Sequence, residues 1–422
     1  MSPPDAEAGR VTVIDGLRGL AVMGILLMNI TAFAMPSGAY FNPLAWGPAS
    51  RADIAIWAID FVAVDGKMRA LFSILFGASL AIVARRAAEA GDNPLRRHAA
   101  RMATLALFGA LHHYLLWSGD ILLLYAIVGL IALPFTQIEP GQQIRIALLL
   151  LGVQALVCAG FLASFLAMRA AALGPHADAA AIAAWGELAA GLGVGPLPAM
   201  LREVALYRGP WSGVVAYNLA SGIDAPLFQL EFDGPETLAF MLIGMAGLGS
   251  GFLSGQWQRR RYVRAAALGC AIGLPLSAAL CWLGIRSGFN TLTVFAASTL
   301  GGVLLRPILA LAGAALAILW LSGGDGPIRR RIVATGRTAF SNYLGTSLVM
   351  TALFYGWGFG LFGRIDRVWL YPIVAAAWLL MLGWSGPWLA RFRYGPLEWL
   401  WRSLARGKMQ PLRRNAIATV LQ

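Results

Sequence analysis

Apolar runs broken by short polar turns organise this chain from end to end. Ten of them are long enough to span a membrane, at 17–35, 67–84, 102–118, 120–136, 146–171, 236–254, 263–285, 294–321, 338–356 and 370–389. Each comes close to the roughly 20 apolar residues that cross a hydrocarbon core. The pattern predicts an all-α polytopic membrane bundle of about ten transmembrane helices. Stretch 52–64 is shorter, holds Asp53 and Asp60, and is followed by Asp65, which predicts an amphipathic helix lying on the outer surface. Segment 173–235 is rich in Gly, Pro and Ala and predicts short outer helices rather than a separate domain. The expected organisation is a single integral membrane domain over 1–422, with five spans in 1–172, an extracytoplasmic segment at 173–235, and five spans plus a basic tail in 236–422.

Composition agrees with this reading. The chain of 422 residues is 59% hydrophobic and only 13% charged, which excludes an ordinary soluble domain. A net charge of +13 suggests nucleic acid at first sight. Its cations, however, fall in short clusters between apolar runs rather than on one face, so no nucleic-acid partner is expected. With the N-terminus inside, 23 of the 33 Lys and Arg residues lie on the inner side and nine on the outer, with Arg306 within a span. Cationic loops resist translocation, so both termini are expected in the cytoplasm. No cleavable signal is expected at the first run. Cys158, Cys270 and Cys281 all fall in spans, and neither a disulfide framework nor a metal site is implied.

Intramembrane polar groups carry the candidate chemistry, because each costs on the order of 3 kcal/mol to insert. Asn29, Asp65, Lys67, Arg69, His112, His113 and Asp120 all lie toward the outer ends of the first three long runs, which predicts one hydrated site there. Asp120 is placed to orient an imidazole as a general base, while a histidine pair near an interface can equally satisfy itself with backbone carbonyls. Lys67 and Arg69 are placed to stabilise a developing oxyanion, with pairing to Asp60, Asp65 or Asp120 as the other account. Asp65 reads as a cap on the second span. Asn29 is either a site residue or an interhelical hydrogen-bonding amide.

Arg18 begins the first span and suits a phosphate, or else pairs with Asp15 as an anchor. Arg306, mid-span beside Pro307, must find a partner or a wet cavity. The run Arg391–Arg402 alternates cations with aromatics, which interfacial anchoring explains; stacking and bidentate contacts to a nucleotide by Arg393, Trp399 and Arg402 are the sharper reading. Anchoring does not explain Glu398. Gly358-Phe-Gly-Leu-Phe-Gly363 satisfies a dinucleotide pattern, but no strand precedes it.

Five strings, Asp15–Ile30, Leu71–Gly77, His112–Trp117 with Gly119–Leu123, Gly336–Leu344 and Gly395–Arg402, resemble the YeiB-like family of bacterial inner-membrane proteins, in the same order and over nearly the whole chain. That family in turn resembles transmembrane acyltransferases, among them the O-acyltransferases of bacterial surface glycans and the lysosomal heparan-glucosaminide acetyltransferase. The resemblance implies a bundle that takes an acyl group from cytosolic acyl-coenzyme A and passes it to a small-molecule, lipid or glycan acceptor on the far side. The O-acyltransferase motif sets a histidine eleven positions after its arginine. Here those positions are Arg18 and Asn29, and asparagine cannot act as a base. The lysosomal enzyme's histidine after its first span has no counterpart in Tyr40–Trp46. The resemblance thereby leaves His112, the histidine of the family string, as the proton acceptor.

The expected function is acyl transfer across the bacterial inner membrane. His112, Asp120, Lys67, Arg69 and Asn29 are its catalytic candidates. Arg18, Arg306, Arg393, Trp399 and Arg402 are candidates to bind acyl-coenzyme A, with no metal. The alternative is a transporter or carrier of an anionic small molecule or lipid, although no repeat between the halves is evident. The lipid bilayer is the expected partner, and a homodimer is compatible with the class.

Overall fold

A computed structural model describes residues 3–193 and 197–414. Among them all regular structure is helical, apart from an isolated bridge between Phe392 and Arg413. The first half comprises α1 (Pro3–Ala34), α2 (Gly38–Phe41), α3 (Arg51–Ala63), α4 (Lys67–Glu89), α5 (Pro94–Leu115), α6 (Leu122–Ala132) with a following 3-10 turn, and α7 (Pro140–Leu173). Then come α8 (Ala179–Gly191), α9 (Leu197–Tyr207) and α10 (Trp211–Ala220), the short helices expected in 173–235. The second half runs through α11 (Asp224–Gly249), α12 (Arg259–Arg286), α13 (Thr291–Ser298), α14 (Gly302–Leu321), α15 (Pro327–Arg337), α16 (Ala339–Phe354), α17 (Arg367–Arg391) and α18 (Pro396–Arg406).

Six segments are long and apolar enough to cross a membrane: Thr12–Ala34, Arg51–Glu89, Pro140–Leu173, Arg259–Arg286, Gly302–Leu321 and Arg367–Arg391. The other expected spans fall on α5, α6 with its 3-10 turn, α11 and α16. The outward faces of α7, α12 and α17 leave Leu149, Leu156, Leu268, Trp282, Leu379 and Leu380 exposed. Apolar surface on this scale is what a bilayer covers. The protein is a polytopic membrane helix bundle.

Local physics accounts for the departures from the expected elements. Segment 51–89 bends at Gly66, whose φ of +70° only glycine adopts freely, so α3 turns away and lays Asp53, Trp57 and Phe61 against the bundle. Gly66 is the helix N-cap, and Asp65 does not cap α4 but accepts a hydrogen bond from the Tyr40 hydroxyl. The sixth span begins at Asp224 rather than near 236 and carries Asp233 and Glu236 inside the helix. The eighth expected span is split into α13 and α14, and Arg306 reaches back to accept the break by donating to the Ser298 carbonyl. That contact satisfies a carbonyl a broken helix would leave orphaned.

Two close crossings hold the bundle together. Gly77 of α4 meets the Met241 backbone and Gly244 of α11 meets the Ile74 backbone, so neither site has room for a Cβ. Gly336 of α15 lies against Asp15 and Gly19 of α1 in the same way. The start of α1, the α4–α5 turn, α15, the end of α17 and α18 gather at one end, here called the basic end. At the opposite end, α2 and α3 and the helices α8–α10 cover the bundle, tied by Ser37 to Glu203 and by Trp46 to the Gly363 carbonyl.

Candidate functional site

His112 and Asp120 meet. His112 Nδ1 lies 2.7 Å from Asp120 Oδ1, and both side chains are almost wholly buried. The sequence brings them together because α5 ends at Leu115 and the chain doubles back through Trp117 and Gly119 into α6. Asp120 is fixed on its other side, where Oδ2 accepts from the Leu123 amide at 2.9 Å at the start of α6. Gln229 of α11 holds the Asp120 carbonyl at 2.9 Å. An ionised carboxylate on Nδ1 assigns the imidazole the tautomer with its proton there, leaving the Nε2 lone pair as a base. Nε2 has no hydrogen-bond partner among the described residues, and the rings of Tyr343 and Trp117 flank the imidazole at 5.4 and 6.0 Å. His113 points elsewhere, its ring against Tyr114 and its carbonyl held by Asn218 of α10.

A cavity of about 400 Å³ runs from the basic end toward this pair. Arg18, Arg85, Arg97, Arg101, Arg337, Arg402 and Arg406 stand around its mouth, against the carboxylates Asp15 and Glu398. Deeper, the walls become Phe72, Leu75, Phe76, Met102, Leu105 and Leu122, ending at Tyr125 and Tyr343. From Arg86 to Phe72 along α4 the lining extends roughly 21 Å by the rise per residue. Tyr343 therefore has a double position, lining the cavity while its ring faces His112.

Arg18 pairs with Asp15 at 2.5 Å and donates to Ser79 at 2.9 Å, which aims it across the mouth. Arg402 lies over the Tyr394 ring and Arg101 over the Trp401 ring. Glu398 has an explicit partner set: it accepts from the Phe340 amide at 2.7 Å, the Ser341 amide at 3.1 Å and the Ser341 hydroxyl at 2.5 Å. A carboxylate at the exposed donors that open α16 is the natural complement of that helix end, and it pins α18 over the mouth. Burial pushes the Glu398 carboxyl above its ordinary value of 4.5, and these donors pull it back.

The other sequence-selected residues sit apart from the pair. Arg69 bridges Asp233 at 3.0 Å and Glu236, and Arg306 pairs with Glu236 at 2.8 Å. Gln154 supports the network by accepting from the Glu236 amide at 3.1 Å. Lys67 donates to the Phe61 carbonyl at 2.5 Å. Asn29 is half-buried on α1 and its side chain makes no hydrogen bond among the described residues. Arg393 is exposed and Trp399 donates to the Gln410 carbonyl at 2.7 Å, so neither lines the cavity. The single outer site expected from the sequence is thus resolved into a histidine–aspartate pair and separate ion-pair networks. Sequence reasoning missed Asp233, Glu236, Arg101 and Tyr343; two cations inside spans demand buried counter-charges, and Asp233-Gly-Pro-Glu236 is where that demand could have been met.

Comparison with known proteins gives the chain its relatives. It is 32% identical over 405 residues to "Uncharacterized protein YeiB" of Escherichia coli strain K12, covering 94% of this chain and 96% of that one. The chain belongs to the YeiB-like family. "Uncharacterized protein YxaH" of Bacillus subtilis strain 168 is 28% identical over 438 residues, with 98% of each chain covered. An "Uncharacterized 39.9 kDa protein in amylase 3'region" of Bacillus acidopullulyticus is 25% identical, with 97% of each covered. A family model described as "Protein of unknown function (DUF418)" matches residues 249–408. No solved structure matches. All five YeiB-like strings contribute walls of the cavity, through Arg18, Phe72, Leu122, Tyr343 and Arg402 among others, and the string that holds Leu122 also supplies His112 and Asp120.

Proposed function

We propose that this protein is a membrane acyltransferase that takes an acyl group from acyl-coenzyme A at the basic end and delivers it to a hydroxyl or amine acceptor at the opposite face. The observation that carries the reading is the cavity itself: an arginine-lined mouth, an apolar shaft, and an inner end at Tyr343 beside an oriented but unpartnered imidazole nitrogen. Guanidinium groups match phosphate geometry, and the shaft suits the long uncharged arm and acyl chain of such a donor. The positive-inside count supports this reading, in which the basic end and both termini face the cytoplasm across the bacterial inner membrane.

In this reading His112 Nε2 removes the proton from the acceptor as its oxygen or nitrogen attacks the thioester carbonyl. The tetrahedral adduct collapses with loss of the coenzyme A thiolate, which takes the proton back from the imidazolium. Acceptor and thioester become acylated acceptor and free thiol, with no other reactant needed. Asp120 holds the imidazole and offsets its positive charge. Lys67 and Arg69 are set aside as oxyanion donors, since their ammonium and guanidinium groups are engaged with Phe61, Asp233 and Glu236. The same pairing weakens the carrier reading, because Arg306 and Arg69 are already neutralised by carboxylates rather than held ready for an anion.

The test uses protein reconstituted in lipid vesicles with radiolabelled acetyl-coenzyme A and a membrane lipid and glycan extract. Thiol release with labelled acceptor is expected, falling roughly 100- to 10,000-fold in folded His112→Ala and substantially in Asp120→Asn. A fully active His112→Ala protein would remove the mechanism. Uptake of label into the vesicle lumen with the thioester intact would replace the transferase by a carrier.

A further inference from the structure

Beside the arginine-lined mouth, and sharing Arg337 with it, a second recess of about 470 Å³ opens at the basic end between α1, α14, α15 and α17. Arg329, Arg330, Arg337 and Arg414 border it, with Asp325 as its one acidic residue. Arg330 pairs with Asp325 at 2.8 Å and Arg329 is held by the Gly324 carbonyl and the Trp320 ring. The guanidinium groups of Arg337 and Arg414 make no hydrogen bond or ion pair with the described residues, and both are exposed. Apart from Thr12 and two glycines, the rest of the wall is apolar, formed by Val13, Leu321, Val333, Ala334, Leu389 and Ala390.

The helix that carries three of these arginines fixes the setting. α15 buries Ile332 and Thr335 against the bundle, yet leaves Ile328 63% exposed beside Arg329 and Arg330. Cations and an exposed isoleucine on one short helix suit the boundary between headgroups and hydrocarbon, and neither plain water nor the bilayer core. A free phosphate would use only the cations of such a recess and leave its apolar wall wet.

We propose that this recess binds the headgroup of an anionic phospholipid, with the phosphodiester on Arg337 and Arg414, Arg330 joining them from an exposed, solvent-screened pair with Asp325 that is weak enough to exchange, and the upper acyl chain along Leu321 and Leu389. The charge balance favours that occupant over a zwitterionic lipid, whose own cation would meet the arginines. The assignment does not depend on the acyl-transfer reading. Arg337 also lines the first cavity, so it is left intact in the test.

The experiment measures lipid retention by native mass spectrometry on full-length protein stripped in detergent and titrated with phosphatidylglycerol, with phosphatidylcholine or with inorganic phosphate. The wild type is expected to bind phosphatidylglycerol roughly tenfold or more tightly than phosphatidylcholine, and an Arg330→Gln/Arg414→Gln protein to lose that preference. Equal binding of the two lipids, an unchanged preference in the double variant, or displacement by millimolar inorganic phosphate would each overturn the proposal. Should the double variant elute as aggregate, Arg414→Gln alone supplies the reading: an intact preference there counts against the site, and a reduced one for it.

Discussion

A single nitrogen atom summarises how charge is managed at the residue scale. His112 Nε2 is buried without a partner while Nδ1 is held by Asp120, so the ring is oriented on one side and unused on the other. The string His112–Trp117 with Asp120 made this pair legible in the sequence, because only one turn separates the two side chains. The resemblance already singles out His112, but which of the two imidazoles meets Asp120 took the structure, since both lie at the end of α5. Asn29 shows the opposite limit: its spacing from Arg18 was readable, but nothing in that spacing could tell that its amide engages no partner. Glu398 yields a prediction at this scale. Its carboxyl is raised by burial above 4.5, so the folded state holds the proton more tightly than the unfolded chain. Docking of α18 is therefore strongest below about pH 4.5 and weakens as pH rises through the raised value. The protection factors of residues 396–406, with the intrinsic pH dependence of amide exchange divided out, should fall over that window in the wild type and stay nearly flat in Glu398→Gln, whose amide oxygen still accepts from Phe340 and Ser341.

Periodicity and length were enough to place most of the helices, and they failed where a charge changed its meaning on burial or where a turn split an apolar run, as between α13 and α14. Expected and observed spans coincide along α4, α7, α12 and α17, whose apolar runs are uninterrupted. The start of α11 was misread because Asp233 and Glu236 look like the end of a loop; paired with Arg69 and Arg306 they belong inside the helix. The glycines of the sixth run serve two different purposes. Gly244 touches the α4 backbone, whereas Gly251 has a φ of +80° and forms the turn after α11. A Cβ at Gly244 would overlap the Ile74 carbonyl region, with no flexible side chain to give way. Gly244→Ala is expected to cost about 1–3 kcal/mol or more, seen as a lowered unfolding temperature in detergent. Gly152→Ala, inside α7 with nothing within 4 Å, is the control and should leave the unfolding temperature unchanged or slightly raised.

At the scale of the whole molecule, ion pairs inside the bundle tie distant segments together. Arg69 from α4, Asp233 and Glu236 from α11 and Arg306 from α14 form one network, and Arg367 of α17 holds Thr31 of α1 and the Ala39 carbonyl of α2. Two cations against two carboxylates balance, so removing one leaves an uncompensated charge away from water. Arg306→Met should destabilise the protein by about 3–5 kcal/mol and appear as poor recovery of monodisperse material, while Arg306→Met with Glu236→Gln should regain part of the loss. The sequence shows that Arg69 and Arg306 need counter-charges but not which carboxylates supply them, because the partners lie 167 and 70 positions apart.

The distribution of the remaining cations makes a separate claim about how the whole bundle sits. The basic end collects the start of α1, the α4–α5 turn, α15 and α18, and the opposite end is closed by α8, α9 and α10. Of the 33 Lys and Arg residues, 23 fall in the turns assigned to the first side, and translocating them is what membrane insertion resists. If the proposed orientation is right, a donor from the cytosol meets the arginine-lined mouth and the acceptor arrives from the face covered by α10. Single cysteines introduced into a protein lacking Cys158, Cys270 and Cys281 test this directly. In whole cells a membrane-impermeant maleimide should label His176→Cys in the loop before α8 and leave Met409→Cys after α18 unlabelled until the membrane is opened. The reverse pattern would invert the bundle and place the mouth of the cavity outside, where acyl-coenzyme A is not supplied.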